Sequence, residues 1–381
     1  MDAAGARQPR SLGKRLVFAT IPLLVVLTAL ELGVRVLRLD QECPNSYSES
    51  GMWACDPILN FKLRPDLIAG GKALNRAGFR SREFTSKPPG VFRVLSLGDS
   101  CTFGIIATDV QPVAYIPEPY PQRLERLVAE RVGPGKLEVL NAGIAGYNSF
   151  QGLMLLRTKL RGLEPDLITV RFGWNDHFMS ASDSGGYREP DSVPALILQE
   201  LMLRSALYGF FRRLNFEIQA LRLGASPPPR AALPTEWIPN IPIDVYKHNL
   251  RRIVAMGRAQ GAEVWLLTSP NAFVIDANRG QQDKFPPSAQ MLLAFNAIPS
   301  FDRLIEIHDS YNQATREVGA ELRTPVVDMD AAYRAHAAEP LFLQTDVPHP
   351  SARGHALEAE TLYARLLAEG FERPGASKPR R

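Results

Sequence analysis

The sequence predicts an α/β protein, a three-layer α/β/α sandwich around a five-stranded parallel sheet, preceded by one N-terminal transmembrane helix. Short apolar runs recur along the chain, and amphipathic stretches with apolar residues at three- and four-residue spacing lie between them. A longer apolar run near the N-terminus has the character of a membrane span. Among the 381 residues, 45% are hydrophobic and 22% are charged, which is ordinary for a globular protein.

The formal net charge of +4 is concentrated at the two ends of the chain. Residues 1–15 and residues 372–381 each contain four basic residues and one acidic residue. The body between them carries 36 basic and 38 acidic residues, so its net charge is about −2. A nucleic-acid-binding domain carries its positive excess on the folded body. The sequence therefore predicts no nucleic-acid partner.

Residues 16–39 form an apolar run that predicts a transmembrane signal-anchor. The first 15 residues of the run carry no charge and would span ~22 Å as a helix, short of the ~30 Å hydrocarbon core. The complete run reaches ~36 Å and brings Glu31 and Arg35 near the outer interface, where they reach headgroups or water. The basic segment 1–15 is expected to stay in the cytoplasm while the rest of the chain is exported.

A cleaved signal peptide is the alternative interpretation of this run. No clear small-x-small cleavage site follows the apolar stretch, which favours an uncleaved anchor. We therefore expect a single-pass protein of the inner (cytoplasmic) membrane with its main domain on the periplasmic side. Secretion after cleavage of the signal is the alternative.

Two of the three cysteines, Cys43 and Cys55, lie just beyond the predicted anchor. In an oxidising compartment a disulfide between them would close a small loop and contribute up to ~3 kcal/mol. A pair of free thiols is the alternative, and the sequence does not favour either.

Residues 40–90 are rich in turn formers and predict an irregular lead-in that ends in Lys87-Pro88-Pro89-Gly90. The sandwich domain then covers residues 91–370, and a basic tail covers 371–381. Five short apolar runs predict strands buried on both faces of a sheet, at residues 91–97, 137–140, 167–172, 264–268 and 326–329. The helical stretches are residues 122–131, 150–160, 245–260, 304–318 and 351–367. This alternation predicts a parallel sheet with its ligand beyond the carboxyl ends of the strands.

Residues 177–244 interrupt this alternation, because they contain several prolines and no convincing strand. Helix is expected within residues 193–223. An insertion of this length next to the predicted ligand edge is a candidate lid or substrate-binding cap. A surface excursion without a role is the alternative.

Four polar clusters lie on the predicted ligand edge, each just after a strand or just before a helix. They are Gly98-Asp99-Ser100-Cys101, Asn141-Ala142-Gly143-Ile144-Ala145-Gly146, Gly173-Trp174-Asn175-Asp176 and Asp346-Val347-Pro348-His349-Pro350. A serine at a strand-to-helix turn exposes its hydroxyl and places its N–H at a helix N-terminus, which favours a developing negative charge.

Ser100 is therefore the candidate nucleophile. A serine hydroxyl needs a base, and His349 is expected at the same edge of the sheet. Asp346 is the candidate acid that would bond the second imidazole nitrogen and stabilise the imidazolium. Ester cleavage also needs donors for a negative oxygen, and losing one costs ~3–4 kcal/mol of barrier. The proposed donors are the N–H groups of Ser100 and Gly146 and the side-chain amide of Asn175.

This constellation resembles the SGNH/GDSL hydrolase superfamily, whose four sequence blocks occur here in order between residue 91 and about 368. Ser100 stands in the Gly-Asp-Ser block, Gly146 in the glycine block and Asn175 in the Gly-x-Asn-Asp block. Asp346 and His349 stand in the Asp-x-x-His block. The resemblance implies the SGNH hydrolase fold, with a five-stranded parallel flavodoxin-like sheet, in a membrane-anchored bacterial esterase or lipase.

One residue departs from the family pattern, because the serine is followed by Cys101 instead of an aliphatic residue. We expect Cys101 to be a small packing residue, with a cysteine nucleophile as the alternative. Gly143 is expected to permit a tight turn. Asp99 and Asp176 are expected to bond local backbone N–H groups. The rival acids to Asp346 are Asp328 and Asp330. The remaining histidines, expected at the surface or in packing, are His177, His248, His308, His336 and His355.

The predicted activity is hydrolysis of a carboxylic ester, an O-acyl or O-acetyl ester of a small molecule, carbohydrate or lipid, through an acyl-enzyme on Ser100. An envelope-polysaccharide O-acyltransferase with the same triad is the first alternative. A non-catalytic binding module is the second, although it would lack a triad member or an oxyanion donor. No Cys/His spacing resembles a zinc site, and no glycine-rich loop resembles a phosphate cradle, so no metal or cofactor is expected. The sequence does not predict the oligomeric state.

Overall fold

The computed structural model describes residues 12–40, 53–64, 67–69, 72–106, 114–178, 190–223, 238–272, 300–343 and 348–371. The strands are β1 Trp53–Asp56, β2 Asn60–Leu63, β3 Ile68–Ala69, β4 Lys72–Ala73, β5 Phe92–Gly98, β6 Ile105–Ile106, β7 Ala114–Tyr115, β8 Leu137–Gly143, β9 Leu167–Arg171, β10 Glu263–Leu267 and β11 Val326–Val327. The helices are α1 Leu12–Leu37, α2 Ser100–Phe103, α3 Tyr120–Arg131, α4 Ser149–Thr158, α5 Trp174–His177, α6 Val193–Met202, α7 Ala206–Leu223, α8 Ile243–Ala259, α9 Phe301–Leu322, α10 Met329–Ala335 and α11 Ala352–Ala368.

The central sheet has five strands in the order β11-β10-β9-β5-β8. Each neighbouring pair is parallel, as in the longest pairing, which joins Phe92 to Leu137 and continues to Gly98 and Gly143. The predicted five-stranded parallel sheet is therefore confirmed. Because β5 lies between β8 and β9, the residues that follow these three strands meet at one edge.

Successive residues along each strand face two different cores, which explains why the strands read as continuous apolar runs. On β5, Val94 packs with residues of α3 and α11, while Leu95 packs with residues of α4, α8 and α9. The same alternation separates Leu267 from Leu266 on β10. Both faces of the sheet are thus covered by helices, and the predicted three layers are present.

The lead-in differs from the irregular segment expected at residues 40–90. Strands β1 and β2 form an antiparallel hairpin, and β3 pairs with β4 in a second one. The Asp56 carboxylate accepts hydrogen bonds from the N–H groups of Ile58 and Leu59, and Asn60 takes a positive φ of 70°, which together close the first turn. Strands of two to four residues are too short to show an alternating pattern in the sequence.

The fifth predicted strand is shorter than expected, because only Val326 and Val327 belong to β11. Asp328 caps the following helix α10 by accepting a hydrogen bond from the Ala331 N–H, so Met329 is helical. The sequence analysis did not predict this helix.

In its described part, residues 190–223, the insertion forms the helices α6 and α7, where one helical region was expected. Residues 203–205 separate the two helices, and Ser205 caps α7, because its hydroxyl accepts a hydrogen bond from the Tyr208 N–H. The two ends of the insertion meet beside α5, where the N–H groups of Asn240 and Ile241 donate to the carbonyls of Phe178 and Asp176.

The N-terminal helix α1 has 26 residues and is ~39 Å long. Among the described residues it is the one helix long and apolar enough to cross a membrane, over Thr20–Leu37. Most of its apolar side chains are exposed to the surroundings, and Val34 is buried. A membrane anchor and a signal sequence both have these properties.

Candidate active site

Ser100 is the first residue of α2, directly after the end of β5. Asp99 caps this short helix, because its carboxylate accepts a hydrogen bond from the Cys101 N–H at 2.9 Å. Asp99 is buried, and burial raises the pKa of its carboxyl. The local backbone bond expected of Asp99 is therefore present, and it fixes the turn that carries the serine hydroxyl.

The imidazole of His349 reaches this serine from a distant part of the chain. Its Nε2 lies 2.8 Å from Ser100 Oγ, although 249 residues separate the two. The loop is held by the Leu343 N–H, which donates to the His349 carbonyl, and by an antiparallel bridge between Phe342 and Pro350. The hydroxyl and the ring nitrogen are thus in hydrogen-bond contact, as a serine nucleophile and its base require.

Cys101, the residue after Ser100, contacts the loop that carries His349. Its thiol is buried and donates a hydrogen bond to the Pro348 carbonyl, with 3.3 Å between sulfur and oxygen. The thiol therefore joins the turn of Ser100 to the loop of His349. This contact goes beyond the packing role expected from the sequence, and the burial of the thiol disfavours the cysteine nucleophile.

The second cluster follows β8. Gly143 lies in the strand itself, where an added Cβ would come within 2.4 Å of the Phe103 backbone nitrogen. It therefore permits the close approach of α2 and not a tight turn, which corrects the sequence prediction. Gly146 has a φ of 85°, and in its turn the Tyr147 N–H donates to the Ile144 carbonyl.

The lead-in hairpin packs against this turn. A Cβ added at Gly146 would stand 3.2 Å from the edge of the Phe61 ring. The Tyr147 hydroxyl donates to the Phe61 carbonyl at 2.7 Å, and the two rings meet edge to face. The lead-in thus forms part of the wall beside Gly146, which the sequence pattern did not predict.

The third cluster places Asn175 next to the same turn. Its side-chain amide donates to the Tyr147 carbonyl at 2.9 Å, and its own carbonyl accepts from the Asn240 side chain at 3.1 Å. The neighbouring carboxylate of Asp176 is buried and accepts from the N–H groups of Ser149 and Gly173. Burial raises the pKa of Asp176 to about 7.

Accessibility distinguishes the predicted site residues from their neighbours. Ser100, Gly146 and Asn175 are each partly or fully exposed, whereas Asp99 and Asp176 are buried. The structure therefore brings together the three clusters that follow β5, β8 and β9, and in each the predicted site residue is accessible.

Asp346 lies outside the described residues, so its role in the triad stays a prediction. The two rival acids are engaged elsewhere. Asp328 pairs with Arg316 and accepts from the Thr268 hydroxyl, and Asp330 pairs with Arg334.

A buried charge network lies beneath the serine turn. Arg171, at the end of β9, pairs with Glu358 of α11 at 2.6 Å, and both side chains are fully buried. The Tyr333 hydroxyl donates to the same carboxylate at 2.9 Å, and the charge of Arg171 opposes the rise in the pKa of Asp99. The sequence analysis missed this network; an arginine inside the apolar run of a strand was its one visible signal.

Two buried histidines lie behind Asn175. His177 Nε2 and His308 Nδ1 are 2.9 Å apart, and His308 Nε2 lies 2.6 Å from the Ser269 carbonyl. Burial lowers the pKa of His177 well below its usual value and that of His308 to about 4. These two residues therefore belong to packing, whereas His336 is exposed.

A separate cleft lies at the opposite, amino-terminal edge of the sheet, lined by Lys87, Gly90, Asp166 and Gln260 among others. No described residue of the four predicted clusters lines this cleft. Among the described residues, no group of three His, Cys, Asp or Glu side chains could hold a metal ion. Cys55 is disulfide-bonded, and Cys43 lies outside the described residues.

Comparison with known families supports the resemblance noted from the four blocks. The model of the GDSL-like lipase/acylhydrolase family matches residues 96–357, which is more than half of the chain. The chain belongs to this family. It is accordingly a carboxylic ester hydrolase.

Several solved structures are similar to this chain. The lipase/acylhydrolase from Enterococcus faecalis shares 20% identity over 76% of this chain and 100% of its own, with a TM-score of 0.43. A catalytic mutant of Axe2, an acetylxylan esterase from Geobacillus stearothermophilus, shares 14% identity over 74% of this chain and 96% of its own, with a TM-score of 0.41. LAE5, an α/β-hydrolase enzyme from the metagenome of Lake Arreo, Spain, shares 16% identity over 76% of this chain and 99% of its own, with a TM-score of 0.41. No curated protein matches the chain.

Proposed function

We propose that this hydrolase cleaves esters through a covalent acyl-enzyme on Ser100. The observation that carries the proposal is the 2.8 Å contact between Ser100 Oγ and His349 Nε2. As Oγ attacks the ester carbonyl, its proton moves to Nε2, and the imidazolium then gives that proton to the departing alcohol. Water attacks the acyl-enzyme by the same route, releases the acid and returns the proton to Ser100. Asp346 is the proposed partner of the other imidazole nitrogen.

The proposed oxyanion hole consists of the N–H groups of Ser100 and Gly146 and the side-chain amide of Asn175. An asparagine amide has two hydrogens, and the bond to the Tyr147 carbonyl uses one of them. That bond supports the proposal, because it orients the remaining hydrogen without consuming it. Donors that are already oriented stabilise the negative oxygen without reorganisation during the reaction.

The proposed substrate is an O-acyl ester of a carbohydrate or lipid at the bacterial cell envelope. Support comes from α1, which is long and apolar enough to anchor the domain at a membrane, and from the basic segment before it. The catalytic domain would then lie on the periplasmic side. The insertion at 177–244 is a proposed substrate cap, because its base bonds the backbone of Asn175 and Asp176.

The proposal is tested by measuring hydrolysis of p-nitrophenyl acetate and longer acyl esters by the full chain in detergent. The Ser100→Ala variant is expected to lose turnover by roughly 10⁴-fold or more, since nothing replaces the covalent step. Ser310→Ala is the matched control, because the Ser310 hydroxyl bonds the Ile307 carbonyl of its own helix, and it should keep full activity.

Equal activity in the parent and in Ser100→Ala would overturn the proposal. A folded parent that forms a stable acyl adduct at Ser100 but releases it only when a sugar acceptor is added would replace hydrolysis by acyl transfer. Preference for short or long acyl chains in the same assay then separates an O-acetyl ester from a lipid substrate.

A further inference from the structure

The N-terminal helix is docked on the catalytic domain through a charged residue in its apolar sequence. The Glu31 carboxylate accepts hydrogen bonds from the Ser205 hydroxyl at 2.7 Å and from the N–H groups of Ala206 and Leu207 at 2.9 Å each. These groups form the N-terminus of α7, where a carboxylate is favoured. Arg35, one turn further along α1, donates to the Arg204 carbonyl. The anchor is thus fixed to the body and is not a free tether.

The contacts continue toward the C-terminal end of α1. The Arg213 guanidinium donates to the Leu39 carbonyl at 3.3 Å, and Gly209 faces the Asp40 side chain. Helix α7 therefore runs alongside the C-terminal end of α1, in the direction that leaves the membrane. Helix α6 ends at Met202, so its C-terminal end lies close to Ser205 and therefore to Glu31, which is inside the predicted span.

The inner face of α6 packs against the domain core. Leu196 is fully buried, and the Glu200 carboxylate pairs with Arg157 of α4 at 3.0 Å and with Arg252 of α8 at 2.9 Å. These partners come from two helices that cover the sheet, so the direction of the opposite face of α6 is fixed as well.

That opposite face is apolar and exposed. The exposed fractions are 50% for Ile197, 57% for Leu198, 59% for Leu201 and 41% for Met202. Their spacing puts them in one stripe along the helix. A contiguous apolar stripe on a fixed helix is typical of an interaction surface, and its position beside α1 restricts what can cover it.

The charges around the stripe are also consistent with a lipid surface. Arg38 and Arg204 are exposed near the outer end of α1, whereas the Arg35 guanidinium pairs with the Glu31 carboxylate at 2.6 Å. Guanidinium groups bind phosphate with paired hydrogen bonds, and a basic cluster beside an apolar face is the pattern of helices that lie in membrane interfaces.

We propose that the apolar stripe of α6 is buried in the outer leaflet of the membrane that α1 crosses, with Arg38 and Arg204 at the phospholipid phosphates. The proposal goes beyond ester hydrolysis and rests on α1 being an uncleaved anchor. Two elements inserted side by side fix the tilt of the catalytic domain, so its site is held at one height above the bilayer.

The test places an environment-sensitive NBD probe on the full chain in nanodiscs of phosphatidylethanolamine and phosphatidylglycerol. The probe is attached through Leu198→Cys on the stripe, and the unmodified chain gives the background labelling. Glu130→Cys on α3 is the matched control, because Glu130 is exposed on the layer at the other side of the sheet. Doxyl-labelled lipid and aqueous iodide are the two quenchers.

The expected result is a blue-shifted probe at position 198 that is quenched severalfold more by doxyl lipid than the probe at position 130 and is protected from iodide. Equal iodide quenching at both positions would overturn the proposal. Protection of position 198 from both quenchers would also overturn it, in favour of a protein partner. A chain that does not co-elute with the nanodiscs would overturn the anchor on which it rests. Esterase turnover, measured separately, distinguishes these outcomes from failure of the proposed chemistry.

Discussion

At the scale of single residues, the buried thiol of Cys101 connects the two halves of the proposed reaction centre. Its hydrogen bond to the Pro348 carbonyl joins the residue after the nucleophile to the residue before the base. A net hydrogen bond contributes about 1 kcal/mol, which corresponds to roughly a fivefold change in rate if it is lost. We therefore propose that Cys101 positions these two residues and takes no chemical part in the reaction.

Cys101→Val, which has a similar size but no donor, is expected to lower kcat about three- to tenfold with little change in KM. Cys101→Ser keeps a donor and should retain activity within about twofold of the parent. Steady-state kinetics with p-nitrophenyl acetate check both variants. Equal losses in the two variants, or no loss in either, would contradict the positioning role.

The sequence predicted Ser100 and His349 as partners because both were expected at the carboxyl edge of one parallel sheet. It could not predict the Cys101 thiol bond, because nothing in the local pattern around Cys101 indicates a partner 247 residues away. The buried pair of Arg171 and Glu358 was missed for the same reason. Charge pairing across a folded core leaves no periodicity in the sequence.

At the scale of secondary-structure elements, the Glu31 carboxylate joins α1 to the N-terminus of α7. Glu31 accepts three hydrogen bonds at the N-terminus of α7, a helix-capping role usually filled by a residue of the same segment. Removing such a cap costs about 1–2 kcal/mol. The contact thus couples the predicted anchor to the insertion.

Glu31→Ala is expected to lower Tm by roughly 2–8 °C in detergent, because the first turn of α7 loses its acceptor. Glu217→Ala, on α7 itself, removes a partly exposed pair with Arg213 and should change Tm by about 2 °C or less. Differential scanning calorimetry of the full chain measures both. Identical melting of Glu31→Ala and the parent would mean that the anchor does not support the domain.

The sequence predicted elements with a strong pattern better than elements fixed by tertiary contacts. The five strands were recognisable, because burial on both faces makes them apolar throughout. The hairpin of β1 and β2 was not, because it is stabilised by the Tyr147 hydroxyl and the Gln151 side chain, which donate to the carbonyls of Phe61 and Leu59. The helix α10 was not predicted, and its first residue, Met329, was assigned to the fifth strand, because the capping role of Asp328 was not recognised.

At the scale of the whole molecule, three buried titratable groups make stability depend on pH in opposing ways. Burial lowers the pKa of His308 to about 4 and that of His177 well below its usual value. Between about pH 6.5 and pH 4, the unfolded chain binds protons that these two buried histidines exclude in the folded chain. Their contribution to the free energy of unfolding is therefore complete above pH 6.5 and is lost as the pH falls toward 4. Burial raises the pKa of Asp176 to about 7, so the folded chain holds a proton there that the unfolded chain loses near pH 4. The contribution of Asp176 to the free energy of unfolding therefore decreases as the pH rises from about 4 to about 7.

The difference between parent and His308→Gln isolates the histidine contribution. The variant is expected to have a lower Tm at neutral pH, because the Ser269 carbonyl loses a short hydrogen bond, and a smaller loss of Tm on acidification to about pH 4.5. Exposed His336→Gln is the control and should follow the parent at each pH. A His308→Gln variant with the parental slope of Tm against pH would contradict the assignment.

The covalent role of Ser100 is tested most directly by treating the full, hydrolytically active chain with a fluorophosphonate and mapping the adduct by peptide mass spectrometry. We expect one modified residue, Ser100, with loss of esterase activity in proportion to labelling and no adduct in Ser100→Ala. An active protein whose adduct maps to another residue, or that hydrolyses esters while Ser100 stays unmodified at full inhibition, would contradict the central claim.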